Sequence, residues 1–123
     1  MTQHEQLFIG VDGGGTKCKA RLESSSGALL AEAVTGPANP ATDFALAVDS
    51  ILQACQQVVQ QAGYTDAALA YCHVVMGLAG VNVPRVQSQM QNWSHPFASL
   101  TVTTDLHIAC LGAHAGLDGA ILI

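Results

Sequence analysis

Leu7-Phe8-Ile9-Gly10-Val11-Asp12-Gly13-Gly14-Gly15-Thr16-Lys17 runs from an apolar stretch into an aspartate and three consecutive glycines. The residues after the glycines decide the fold. Lys17-Cys18-Lys19-Ala20-Arg21-Leu22-Glu23 alternates strictly, with Cys18, Ala20 and Leu22 on one face and charged side chains on the other. That period belongs to a strand, not a helix, so the glycines occupy a tight turn between two paired strands. In dinucleotide-binding folds and Walker-type loops the glycines lead from a strand into a helix instead. The chain also has no Gly-x-Gly-x-x-Gly, and Thr16 stands where a Walker loop needs its last glycine. Residues without side chains let backbone N–H groups close in on an anion, and an aspartate at a strand end can hold a hydrated Mg²⁺ beside that anion. A ligand-free hairpin turn needs only one or two glycines. Three favour a phosphate-binding loop.

The rest of the chain continues in alternating elements. Ser24-Ser25-Ser26-Gly27 reads as a turn and Ala28 to Val34 as a third strand. The loop Thr35-Gly36-Pro37-Ala38-Asn39-Pro40 comes next, its prolines excluding helix. Thr42 or Asp43 then caps a long helix whose apolar stripe is Phe44, Val48, Ile51, Leu52, Cys55, Val58, Val59 and Ala62, with Gly63 as its stop. Tyr71 to Met76 is an unbroken apolar run, the pattern of a strand covered on both faces, and Gly77-Leu78-Ala79-Gly80 is its exit loop. Pro84 opens a short helix through Met90, Leu100 to Thr104 is a fifth strand, and Asp105 caps a helix to His114 or Ala115. The order β-β-β-α-β-α-β-α predicts an α/β domain with a mixed five-stranded sheet, a meander continued by crossover units.

Composition narrows the function. The chain has 123 residues, enough for one domain that buries roughly two thirds of its surface. Half of them are hydrophobic and only 11% charged, below the usual quarter, which suggests that part of the surface is covered by something else. A net charge of −5, with Lys17, Lys19, Arg21 and Arg85 as the four cations, argues against nucleic acid or anionic membrane as partner. No apolar run approaches the ~20 residues that span a bilayer, and Met1 to Gln6 lacks a signal-peptide core. Cys18, Cys55, Cys72 and Cys110 show no short metal spacing and read as reduced core thiols of a cytoplasmic protein.

The Asp12–Thr16 turn resembles the first phosphate loop of the actin-like ATPase superfamily, which includes sugar kinases, actin and heat-shock chaperone ATPases. Asp-Gly-Gly-Gly-Thr is its form in the BadF/BadG/BcrA/BcrD-type ATPase family, with N-acetylglucosamine kinases and the activator ATPases of benzoyl-CoA reductase. His95-Pro96-Phe97-Ala98-Ser99, Thr104-Asp105 and Ala109-Cys110-Leu111-Gly112-Ala113-His114 look like bacterial glucosamine kinases in particular. Leu106 departs from the small residue usual after that aspartate. The resemblance implies a ribonuclease H-like fold, with residues 1–116 as an N-terminal domain and 117–123 as the first strand of a second domain. The chain then reads as a fragment, with little activity alone. The strand at 119–123 could instead pair with a neighbouring molecule, as in a homodimer.

Phosphoryl transfer needs the terminal phosphate positioned, its charge neutralised and the attacking hydroxyl oriented. The resemblance makes ATP and Mg²⁺ the expected cofactors and an amino sugar the small-molecule partner. Asp12 is the candidate metal organiser; Gly13, Gly14, Gly15 and Thr16 are candidates for the phosphate oxygens. Lys17 could add charge there, or it could lie on a solvated face with Lys19 and Arg21. Asp105 reads from the sequence as a helix cap; in the family the aspartate here is the general base, taking a proton from the sugar hydroxyl as it attacks. Capping uses one oxygen and leaves the other free. Asn39 reads first as turn chemistry, and the family's counterpart contacts sugar hydroxyls. Gly80 matches a glycine lining the family's sugar cleft. The leading expectation is a kinase for the 6-hydroxyl of glucosamine or N-acetylglucosamine. The alternatives are an activator ATPase of a radical dehydratase or reductase, whose iron–sulfur cysteines would lie beyond Ile123, and a sugar-sensing repressor, which would carry a DNA-binding module ahead of the first strand.

Overall fold

β1 (Leu7–Gly13), β2 (Cys18–Ser24) and β3 (Leu29–Thr35) form an antiparallel meander, with Gly13 opposite Cys18 at the glycine turn. The structure, a computed structural model, describes residues 6–104 and 121–122. β4 (Cys72–Leu78) runs parallel to β1, and β5 (Ser99–Thr103) parallel to β4. The expected five strands are joined by a sixth, β6 (Ile121–Leu122), in the segment read as opening a second domain. It pairs parallel with β5, giving the order β3-β2-β1-β4-β5-β6.

Between β3 and β4 comes α1 (Phe44–Gln61), and between β4 and β5 comes α2 (Pro84–Gln91). Asp43 caps α1 through Oδ1, which accepts from the Leu46 N–H at 3.0 Å, satisfying a first-turn donor. At the other end Tyr64 N–H donates to Val59 O and Gly63 N–H to Gln60 O, with Gly63 at φ +93°. This left-handed C-terminal motif admits glycine at little cost.

The meander separates two environments. Leu7, Ile9, Val11, Cys18, Ala20, Leu22, Ala31 and Ala33 point to one face and are buried. α1 packs there through Ile51, Ala54, Cys55, Val58 and Val59. Each large side chain so buried contributes about 1.5–3 kcal/mol of transfer free energy. On the other face Lys19 and Arg21 reach Glu32 at 3.7 and 3.6 Å and stay half-exposed. β4 is buried on both faces from Val74 to Leu78, as its unbroken apolar run predicts.

Local differences from the sequence reading have physical causes. Tyr71 does not start β4; it ends a 3-10 helix, Asp66–Tyr71, and is 39% exposed. Ser50 replaces an apolar residue in the α1 stripe and is buried, its carbonyl accepting from Thr35 Oγ1 at 2.7 Å. The helix expected from Asp105, with Cys110, lies outside the described residues. No helix among the described residues is long and apolar enough to cross a membrane.

Candidate functional site

Parallel strands β1, β4 and β5 all end at one edge of the sheet, the carboxyl edge where ligands gather in α/β folds. Three loops meet there: the glycine turn, the 36–43 loop between β3 and α1, and the 79–83 loop between β4 and α2. Backbone hydrogen bonds lace them together. Ala79 N–H donates to Gly13 O at 2.9 Å, and Ala38 N–H to Gly14 O at 2.8 Å. Gly13 is a close-approach position, since a Cβ built on it would lie 2.6 Å from Leu78 Cδ2 and 2.9 Å from Ala38 O. The first glycine is therefore needed for packing.

The turn itself divides its amides. Gly14 N–H donates to Lys17 O at 2.9 Å, so this amide closes the hairpin. The amides of Gly15, Thr16 and Lys17 have no acceptor among the described residues. All three residues are exposed, and a Cβ at Gly15 would meet nothing within 4 Å. Successive unengaged amides beside open space can receive an anion.

Asp12 completes this corner. It occupies a sheet row Lys19–Asp12–Gly77–Thr103 running across β2, β1, β4 and β5. Its carboxylate is exposed and has no hydrogen-bond or ion-pair partner among the described residues. Lys19, its neighbour in the row, reaches Glu32 instead. A carboxylate with no such partner, at the strand end that leads into this turn, could hold a hydrated divalent cation. Lys17 is exposed at the turn and makes no ion pair among the described residues, unlike Lys19 and Arg21.

Asn39 and Gly80 are brought together on the neighbouring loops. Asn39 Oδ1 accepts from Ala41 N–H at 3.0 Å, and its carbonyl accepts from Thr42 and Asp43 N–H at 3.1 Å. A backbone N–H can only donate, which fixes the amide orientation. The Asn39 Nδ2 therefore has both its donors available, with no partner among the described residues. Gly80 adopts φ +78°, and a Cβ there would sit 2.5 Å from Asn39 Oδ1 and 2.7 Å from Ala41 Cβ. Asp105 lies outside the described residues, two positions beyond the end of β5.

Three residues had no role in the sequence reading. Ala38 and Ala79 serve through backbone N–H groups, which carry no side-chain signature. Arg85, in the first turn of α2, donates from Nη2 to Ala41 O at 3.2 Å and from Nη1 to Gln89 Oε1 at 3.2 Å. Its signal was its isolation, since the other three cations all lie at Lys17, Lys19 and Arg21. His73 sits at the opposite end of β4, stacked on Phe8 and bonded through Nδ1 to Ser99 Oγ at 2.7 Å, away from this edge.

The glucosamine kinase GspK of Vibrio cholerae serotype O1 is 39% identical over 116 residues, spanning 94% of this chain and 40% of that protein. A crystal structure of a Chromobacterium violaceum protein, assigned as an N-acetylglucosamine kinase, superposes with a TM-score of 0.75 at 34% identity. The match covers 92% of this chain and 40% of that one. The chain thus spans about two fifths of the length of these relatives. Residues 9–123 match the profile of the BadF/BadG/BcrA/BcrD ATPase family, and the chain belongs to that family.

Proposed function

We propose that this chain supplies the phosphate-binding and sugar-binding edge of an ATP-dependent amino-sugar kinase working in the cytoplasm. The acceptor is the 6-hydroxyl of glucosamine or of N-acetylglucosamine. One observation carries the reading: the amides of Gly15, Thr16 and Lys17 and the carboxylate of Asp12 have no hydrogen-bond or ion-pair partner among the described residues, at the sheet edge that also holds Asn39 and Gly80. The names of the two relatives supply the substrate class. The same reading makes residues 1–116 the first domain and treats 117–123 as the passage towards a second.

In this reading the amides and the Thr16 hydroxyl hold phosphate oxygens, and Lys17 adds positive charge. Asp12 would organise Mg²⁺ through water, and the ion would neutralise charge on the transferring phosphoryl group. Asn39 donates from Nδ2 to a sugar oxygen and so orients the acceptor. Asp105 takes the proton from the 6-hydroxyl as it attacks.

A coupled assay of the complete protein on glucosamine, N-acetylglucosamine and glucose tests the proposal. Sugar-dependent ADP release with an amino sugar supports it. ATP hydrolysis indifferent to sugar points to the activator-ATPase class instead. Asp105→Asn should abolish transfer while leaving nucleotide affinity nearly intact; equal loss of both would make Asp105 structural.

A further inference from the structure

In the kinase reading the sugar side of the edge needs Asn39 to keep one orientation, and Arg85 ties that loop to the helix beyond β4. Val83 N–H donates to Gly80 O at 3.2 Å, and Pro84 opens α2 immediately after. Arg85 is thereby placed one residue into the helix, with its guanidinium reaching back across the loop. Nη2 donates to the carbonyl of Ala41, the residue whose own N–H holds Asn39 Oδ1. Nη1 is held by Gln89 Oε1, one helical turn on. Both acceptors are neutral, and Arg85 makes no ion pair among the described residues. Arginine makes its strongest bonds to carboxylates; this one is used on a backbone carbonyl instead.

Resting on the kinase reading above, we propose that Arg85 is a positioning residue for the sugar. It fixes residue 41 from the helix side, so that Ala41 N–H holds Asn39 Oδ1 and the Nδ2 donors are left for the sugar. The guanidinium itself touches no sugar in this arrangement. Its planar fork allows the two bonds at once, which a lysine ammonium cannot reproduce with the same geometry.

The test uses the complete protein with Arg85→Ala, Asn39→Ala and the double variant. Loss of an orienting hydrogen bond should raise the sugar KM by roughly five- to tenfold, with the ATP KM and the melting temperature nearly unchanged. In the Asn39→Ala background, Arg85→Ala should add nothing, because its effect passes through Asn39. Arg85→Lys should recover part of the loss, since one donor can still reach Ala41 O. An unchanged sugar KM overturns the proposal. So do fully additive penalties, which would place Arg85 on the sugar itself, and a joint rise of both KM values with a lower melting temperature. The Asn39 side-chain amide resonances give a readout without turnover. If they do not move in Arg85→Ala, the brace fails whatever the reaction; if they move but no sugar is phosphorylated, the kinase reading alone fails.

Discussion

Gly80 leaves the space that Asn39 fills. The two lie on different loops, and a Cβ on Gly80 would come within 2.5 Å of Asn39 Oδ1 while its backbone stays at φ +78°. Gly80→Ala therefore meets a strained backbone and a fixed polar atom at once. A left-handed alanine costs about 1–2 kcal/mol, and the clash adds to it unless the Asn39 loop gives way. The expected result is a clear loss of stability in chemical denaturation, together with weaker sugar binding. Removing the Oδ1 with Asn39→Ala should relieve part of the stability loss, leaving the backbone term.

The triple glycine splits into structural and functional members. Gly13→Ala would drive a Cβ against Leu78 and Ala38, and overpacking of this kind costs about 1–3 kcal/mol. Gly15→Ala meets open space at a backbone angle open to alanine, so stability should stay within about 0.5 kcal/mol of the parent. Yet that open space is where the phosphate reading puts the anion, and the new methyl group should weaken Mg-ATP binding. Calorimetric titration paired with thermal melting separates the two. Unchanged nucleotide affinity in a stable Gly15→Ala protein would remove the anion from this turn.

Asp12→Asn provides a second cut through the same corner. The carboxylate is exposed and unpartnered among the described residues, so its neutralisation should leave the melting temperature essentially unmoved. Nucleotide affinity should fall about tenfold or more in the presence of Mg²⁺, since a hard cation prefers a charged oxygen ligand. Without Mg²⁺ the variant and parent should bind nucleotide alike. A loss that ignores Mg²⁺ would mean the carboxylate acts on something else.

The features legible in the sequence are the local ones. The glycine turn and the alternation of Cys18, Ala20 and Leu22 specify the hairpin from a short stretch of chain, and Asp43 and Gly63 bracket α1 through bonds to near neighbours. The 3-10 helix Asp66–Tyr71 was not legible, because a single short run of this geometry leaves no hydrophobic period. Ser50 was hidden because its place is set by a partner fifteen residues away, Thr35. Contacts between loops left least trace. Asn39 and Gly80 carried separate signals for one cleft, but that they touch, and that Arg85 reaches Ala41 forty-four positions away, is set only by the sheet order.

The core thiols should make stability fall in alkali. Burial pushes Cys18 from 9.0 up to about 11 and Cys72 from 9.0 up to about 12, while Cys55 rises well above 9.0. Below pH 9 both folded and unfolded states keep these thiols protonated, and pH makes no difference through them. Above pH 9 the unfolded chain releases its thiol protons while the folded chain retains them. The unfolded state then binds fewer protons, so unfolding free energy declines with rising pH across about 9 to 12. Urea midpoints should therefore hold level from about pH 7 to 8.5 and drop by about pH 10, with a shallower slope in Cys72→Ala. At about pH 8 the three thiols should resist iodoacetamide in the native protein and react once it is unfolded, as peptide-resolved mass spectrometry can record. Rapid native alkylation of Cys55 would contradict its burial beneath the sheet.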